Sequence, residues 1–347
     1  MVLLFASFYL LAILVEQATA NTKKYVLMTA CLVLVIMAGT RDAGYWPDTG
    51  VYIMSFEDYT PSLFKLNKNS EPFGYSERGF YLLGSFFKIF SSSNVGYLTF
   101  IAAVSFVFLY KDFQRYCYYP LFGLCTYISR FYPARNLIQI RAGLSYAIIL
   151  WGVQYITARD WKRYFFWVFI AYLFHTSALI AVPLYFLCLL KIRKKHIIAG
   201  IIIAFVITTA FAGAIKGFIG DASTDLNVAT TYTTEEYTRE IGLANPMIYF
   251  QLTILLAYTF GEKKLQKLSE DYYTIRNAYF YSTFILISLS MYTALSGRTS
   301  SMFATLEMAI IPAIINTFNR NVRWIAYVGM GVALTAIFFL NYAGGGK

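Results

Sequence analysis

Apolar stretches close to the length of a bilayer crossing, separated by short basic clusters, constrain this chain more than any other feature. A helix needs about 20 predominantly apolar residues to cross a hydrocarbon core roughly 30 Å thick. The runs near 25–40, 95–111, 197–219 and 323–342 approach that length. In lipid the backbone must satisfy its own polar groups, so only helices and closed barrels can span it. The period-2 alternation of a barrel is absent, which leaves helices. With 58% hydrophobic and only 14% charged residues among 347, the chain carries far less charge than a soluble fold of that size displays. The expected class is an all-α polytopic membrane protein.

The net charge of +11 does not point to nucleic acid, because the basic residues form short clusters between apolar runs. Lys23-Lys24, Arg159 to Arg163, Lys191 to Lys195, Lys263 to Lys267 and Arg320 to Arg323 look like cytoplasmic loops under the positive-inside rule. No basic stripe interleaves with a soluble recognition motif. The four cysteines sit in apolar segments without a CxxC pair, and there are two histidines, so neither a disulfide framework nor a metal site is expected. Residues 1–20 end in Ala18-Thr19-Ala20, which superficially resembles a signal-peptidase site. No basic residue precedes that stretch and Lys23-Lys24 follow it, so a retained first helix with its N-terminus outside is expected.

Placing the basic clusters in the cytoplasm gives a trace of about ten full transmembrane helices in a single membrane domain, 1–347. They fall near 2–20, 25–40, 95–111, 117–133, 137–157, 197–219, 246–260, 278–297, 301–318 and 323–342. Segment 79–90 is too short to cross and is expected to be re-entrant or interfacial. The apolar run from Tyr164 to Leu190 has basic clusters at both ends, so a short helical hairpin that lifts His175 away from the cytoplasm is expected. Loops 41–78 and 220–245, and a turn containing Arg298, then face outwards.

Against this background a few polar residues stand out. Arg141 interrupts the apolar run from Leu137 to Trp151. A guanidinium at mid-bilayer costs roughly 2.5–3.5 kcal/mol and is retained where it faces a polar cavity or an anion. Arg135 lies six positions earlier, so on one helix the two would not share a face; Pro133 places the helix start near Arg135, which either snorkels to headgroups or assists Arg141. Arg298, in Ser296-Gly297-Arg298-Thr299, is either an interfacial charge in a polar turn or part of a backbone nest for an anion. His175 is either a core histidine bonded to a neighbouring helix or a group that moves a proton or bonds phosphate. In the first outer loop, Arg41, Asp48, Tyr52 and Glu77 combine charge with aromatic rings, as does Tyr232 in the second. These are either sugar-binding groups or members of an interfacial aromatic belt. Soluble nucleotide-binding and hydrolase motifs are absent in usable context.

The order of an Arg41-Asp42 pair with a following Tyr52, then Tyr75-Ser76-Glu77-Arg78-Gly79, Ile140-Arg141-Ala142, Phe174-His175-Thr176-Ser177 and Gly297-Arg298 resembles the EpsG family. Its members are Wzy-like polymerases of bacterial O-antigen, capsule and exopolysaccharide. The family often has glutamine after the first motif arginine, whereas here Ala142 follows Arg141 and Gln139 precedes it. The resemblance implies a GT-C-like glycosyltransferase in the bacterial inner membrane, with its active site facing the periplasm or exterior. It would move a growing glycan from undecaprenyl pyrophosphate to a lipid-linked repeat unit, without cofactor or metal and with inversion. A chain-length regulator is a further implied partner, besides membrane lipids. Arg141 and Arg298 would stabilise the leaving pyrophosphate with Arg135 as helper, while His175, Asp48 and Glu77 compete for the role of base. Arg41, Tyr52 and Tyr232 would bind substrate. An O-antigen ligase, a membrane acyltransferase and a flippase or transporter of lipid-linked sugars are the rival readings.

Overall fold

A computed structural model describes residues 2–66, 77–210 and 242–344. Tyr232 and most of the loop 220–245, together with residues 67–76 of the loop 41–78, lie outside the described residues. Those described contain helices and no strand. Three helices are long and apolar enough to cross a membrane: α2 (Ala20–Gly39), α5 (Asn94–Tyr116) and the last helix with its lead-in turn, Arg320–Tyr342. They leave apolar side chains such as Leu32, Ile36, Val107, Val332 and Leu340 exposed. Rows of exposed aliphatic residues on a long helix suit a hydrocarbon solvent and are costly in water.

Several of the remaining helices are shorter than the trace expected. The first is α1 (Val2–Val15), and Pro120–Arg130 (α6) is 11 residues; Pro246–Phe260 (α11) has the bounds expected of it, at 15 residues. The span expected at 301–318 is divided between Thr293–Ala304 (α14) and Glu307–Ile314 (α15), the latter carrying Pro312 inside it. The proline lies past the break and inside α15, where its missing amide frees the Met308 carbonyl to accept the Cys117 thiol at 3.4 Å.

The chain forms two compact units, Met1–Val182 with Glu307–Lys347, and Pro183–Leu306. In the first, α5 packs against α2 and against α7 (Ile140–Thr157), and α7 packs on α8 (Trp161–Tyr172). Helix α6 packs against α1, α15 and the last helix, α16 (Arg323–Gly344). A buried ion pair joins α6 to α15, with Arg130 Nε 3.1 Å from a fully buried Glu307 Oε2. A cluster of Tyr52, Phe56, Phe80, Tyr97, Leu98, Ile101 and Ile140 ties α3 (Thr49–Met54) and α4 (Arg78–Phe87) to α5 and the start of α7. Each such side chain contributes about 1.5–3 kcal/mol by burial. At ten residues α4 is about 15 Å long, half of a bilayer core.

In the run from Tyr164 to Leu190 the helix stops at Tyr172 and resumes as a 3₁₀ turn, Thr176–Ala181. The chain reverses there, since the Tyr164 hydroxyl donates to the Ala181 carbonyl at 2.7 Å. Seventeen residues of straight helix would separate them by about 25 Å. Helix α9 (Val182–Leu189) follows.

In the second unit, α13 (Tyr272–Ser288) is central, packing on α10 (Lys194–Ala210), α11 and α14. Arg276 is 1% exposed and donates to the Ile192 carbonyl at 2.6 Å. Glu262, the first residue of α12 (Glu262–Leu265), receives Arg276 at 3.8 Å and Lys194 at 3.3 Å. The basic clusters 191–195 and 263–267 thus meet at one end of this unit, as a shared membrane face requires.

Candidate active site

The backbone prepares the site at two close approaches. Gly79 N–H donates to the Leu173 carbonyl at 2.8 Å, docking the start of α4 on the end of α8. A Cβ at Gly79 would lie 2.5 Å from that oxygen, so only glycine permits the contact. Gly143, in the first turn of α7, meets the Arg135 carbonyl so closely that a Cβ would sit 2.1 Å from it. These contacts bring Glu77, the 175–177 turn, Arg135 and the entrance of α7 together.

Arg141 Nη1 donates to Glu77 Oε2 at 2.7 Å, and both side chains are nearly buried, at 12% and 13% exposure. The other carboxylate oxygen, Oε1, receives the Thr176 amide at 3.4 Å. Arg141 also lies over the Tyr52 ring at 5.9 Å, the outer limit of a cation–π contact. A buried ion pair of this geometry offsets the desolvation of its members without conferring much stability.

His175 caps the 3₁₀ turn: its Nδ1 accepts from the Ser177 amide at 3.2 Å and lies 2.6 Å from the Ser177 hydroxyl. An amide can only donate, so Nδ1 is an acceptor and the neutral ring carries its proton on Nε2. The Ser177 hydroxyl is in turn 3.1 Å from that of Tyr146. Arg135 covers the face of the Tyr146 ring at 4.3 Å and donates to Gln139 Oε1 at 3.2 Å. Arg135, Tyr146, Ser177, His175, Thr176, Glu77 and Arg141 therefore form one connected polar network inside the first unit.

Two sequence expectations change here. Arg135 and Arg141 do not share a helix: a wide π turn, Pro133–Ile138, ends at Gln139, and α7 begins at Ile140. The break cancels the six-residue phase difference, so both arginines reach the same network. π turns of this kind concentrate at functional sites. Arg298 is not in a turn but inside α14, whose Thr299 and Ser301 hydroxyls bond back to the carbonyls of Leu295 and Arg298. The amides around Gly297 are committed to the helix, and space at Gly297 is open, so no backbone nest forms there. Arg298 belongs to the second unit.

Asp48 adopts a left-handed backbone (φ 64°) before α3 and is exposed, with no capping bond from its side chain. The network does not include it. Arg41 follows α2, donating from Nη1 to the Ala38 carbonyl at 2.7 Å and from Nε to Thr49 Oγ1 at 3.0 Å. Sequence reasoning missed Tyr146 and Ser177, hydroxyl residues that read as ordinary fillers of apolar helices. Among the described residues, no group of three or more His, Cys, Asp or Glu is placed to hold a metal ion.

A family model described as the EpsG family matches residues 24–346. The chain belongs to the EpsG family. The match spans both units and includes every residue of the polar network. No curated protein and no solved structure matches the chain. The resemblance drawn from the short motifs and the EpsG match over nearly the whole chain agree, and they assign a membrane protein of the Wzy-like polysaccharide polymerase type.

Proposed function

We propose that this chain polymerises a lipid-linked glycan, transferring the growing chain from undecaprenyl pyrophosphate to a hydroxyl of an incoming lipid-linked repeat unit at the outer face of the inner membrane. The observation that carries the reading is the Arg141–Glu77 pair, a nearly buried guanidinium and carboxylate joined to His175 and Arg135 through one polar network. Pyrophosphate bears more charge than Glu77 and accepts the guanidinium fork, so its arrival draws Arg141 onto the phosphate oxygens.

The same exchange frees Glu77 next to the reacting centre. As the anomeric carbon–oxygen bond breaks, its electron pair goes to the pyrophosphate, whose growing charge Arg141 and Arg135 stabilise. The acceptor oxygen attacks that carbon from the opposite side, inverting it, and its proton passes to Glu77. His175, protonated at Nε2, suits hydrogen-bond donation to a phosphate oxygen better than proton abstraction. The pyrophosphate bond already carries the activation, so the step requires no nucleotide. Arg298 retains a second anion-binding role in this reading.

The test is made in cells. Arg141→Ala and Arg298→Ala are expected to abolish polymer while single repeat units remain on the lipid carrier. Normal long-chain polymer from both variants would sink the proposal. Polymer accumulating on the carrier would identify a ligase, and units trapped on the cytoplasmic side a flippase.

A further inference from the structure

The second unit carries two basic loops side by side at one end, and a buried clasp holds them there. Arg276, on α13 and almost fully buried, donates to the Ile192 carbonyl at 2.6 Å and lies 3.8 Å from Glu262. One guanidinium thereby joins the loop before α10 to the turn after α11. Glu262 also takes Lys194 at 3.3 Å and the Tyr273 hydroxyl at 3.0 Å. On the first loop, His196 Nδ1 accepts the Arg193 amide at 3.1 Å, which folds Arg193 back on the start of α10. Lys191, Arg193, Lys195, Lys263, Lys264 and Lys267 all stand exposed on these adjoining loops.

The protein does not neutralise this shelf by itself. With Lys194 and Arg276 the two loops bring together eight basic residues, against Glu262, Glu270 and Asp271. Glu262 already serves three donors, and Asp271 is buried. A basic loop beside a membrane is ordinary, but two of them locked together exceed what orientation alone requires. The surroundings narrow the partner. Leu190 and Phe260 directly precede the two loops, Ile198 and Ile202 follow on α10, and all four are exposed. Lys194 lies over the Phe260 ring at 6.0 Å, so cation and lipid-facing ring are neighbours. An acidic protein would need only the charges; cations bordered by hydrocarbon-facing side chains match both ends of a phospholipid.

We propose that this shelf binds the headgroup of an anionic phospholipid, with its phosphate drawn between the two basic loops and its acyl chains lying along the exposed sides of α10 and α11. Basic recesses between helix ends bind anionic headgroups, and each lysine or arginine close to the charge contributes about fivefold in affinity. The lipid would bridge the two loops from outside as Glu262 bridges them from within. The inference stands on the second unit alone and does not depend on the polymerase reading.

The experiment titrates the purified full-length protein in detergent with dioleoyl phosphatidylglycerol or dioleoyl phosphatidylcholine and counts bound lipid by native mass spectrometry. Phosphatidylglycerol is expected to bind at least about tenfold tighter. The triple variant Lys263→Gln, Lys264→Gln, Lys267→Gln is expected to lose most of that preference. Lys191→Gln, Arg193→Gln, Lys195→Gln should lose it from the other loop, so the test does not hang on one variant folding. A matched set in the first unit, Arg159→Gln, Lys162→Gln, Arg163→Gln, lies on a single turn and is expected to keep the preference within about twofold. Equal binding of the two lipids, or an unchanged preference in both second-unit variants, would overturn the site. An equal loss in the first-unit set would also overturn it, by reducing the effect to diffuse surface charge. Displacement of the lipid by an equal concentration of glycerol 3-phosphate would do the same, since the shelf would then read a soluble phosphate.

Discussion

Arg141 was legible because a guanidinium inside an apolar run is expensive wherever it goes, and the sequence offers nothing nearby on its own helix to neutralise it. Its partner, Glu77, lies 64 positions away and sits 2.7 Å from it only because the chain folds that way. Glu77→Gln keeps the shape and removes both the counter-charge and the proposed base, so turnover should fall by about 10²–10⁴-fold while the protein still folds. Unaltered turnover in a quantitative polymerisation assay would remove Glu77 from the chemistry. Arg141→Lys is expected to be nearly as poor as Arg141→Ala, because lysine keeps the charge and loses the planar fork. Ser177 is a positioning residue: it supplies the hydroxyl and the amide that hold His175 Nδ1 as acceptor. Ser177→Ala leaves the amide, so it should shift the pH profile of turnover and lower the rate only modestly; a profile identical to wild type would make the serine structural only.

At the scale of elements, the sequence located apolar segments well and their ends poorly. Pro133 marks a helix start by its fixed φ and missing amide, yet the chain makes a π turn first and α7 waits for Ile140. Ser296, Gly297, Thr299 and Ser300 read as turn formers, but the hydroxyls of Ser296, Thr299 and Ser300 bond the preceding turn of their own helix, and α14 runs through all four. Neither outcome is encoded in local composition; both depend on what packs alongside. Glycine at 79 was visible as part of a motif, whereas its reason, the Leu173 carbonyl against it, belongs to another helix. Gly79→Ala must part α4 from α8, and overpacking of this kind costs about 1–3 kcal/mol. The expected result is lost polymerisation with a correctly inserted protein, and full activity would contradict the docking role. Arg130→Ala removes the guanidinium paired with the buried Glu307 carboxylate, which should destabilise the first unit by about 3–5 kcal/mol in thermal melts. Replacing both partners by leucine should recover most of that loss.

For the whole molecule, composition alone was enough to name the class, because backbone hydrogen bonding in lipid leaves so few alternatives. The count of ten crossings was less secure, since three described helices meet the length and hydropathy of a span and others are short or broken. Sidedness follows from the basic clusters and is open to direct measurement. The four native cysteines are buried, so added thiols can be labelled against a low background. A cysteine at exposed Asp58 should react with an impermeant maleimide in intact cells, and one at exposed Lys263 only after permeabilisation. The reverse pattern would invert the topology and put the network on the wrong face.

The most direct measurement is polymerisation by the purified protein in detergent, supplied with its native undecaprenyl-pyrophosphate repeat unit and no nucleotide, and read as a ladder on a gel. The account predicts a ladder from the wild-type chain and none from Arg141→Ala. No ladder from wild-type protein that binds the repeat unit, or an undiminished ladder from the variant, would contradict it.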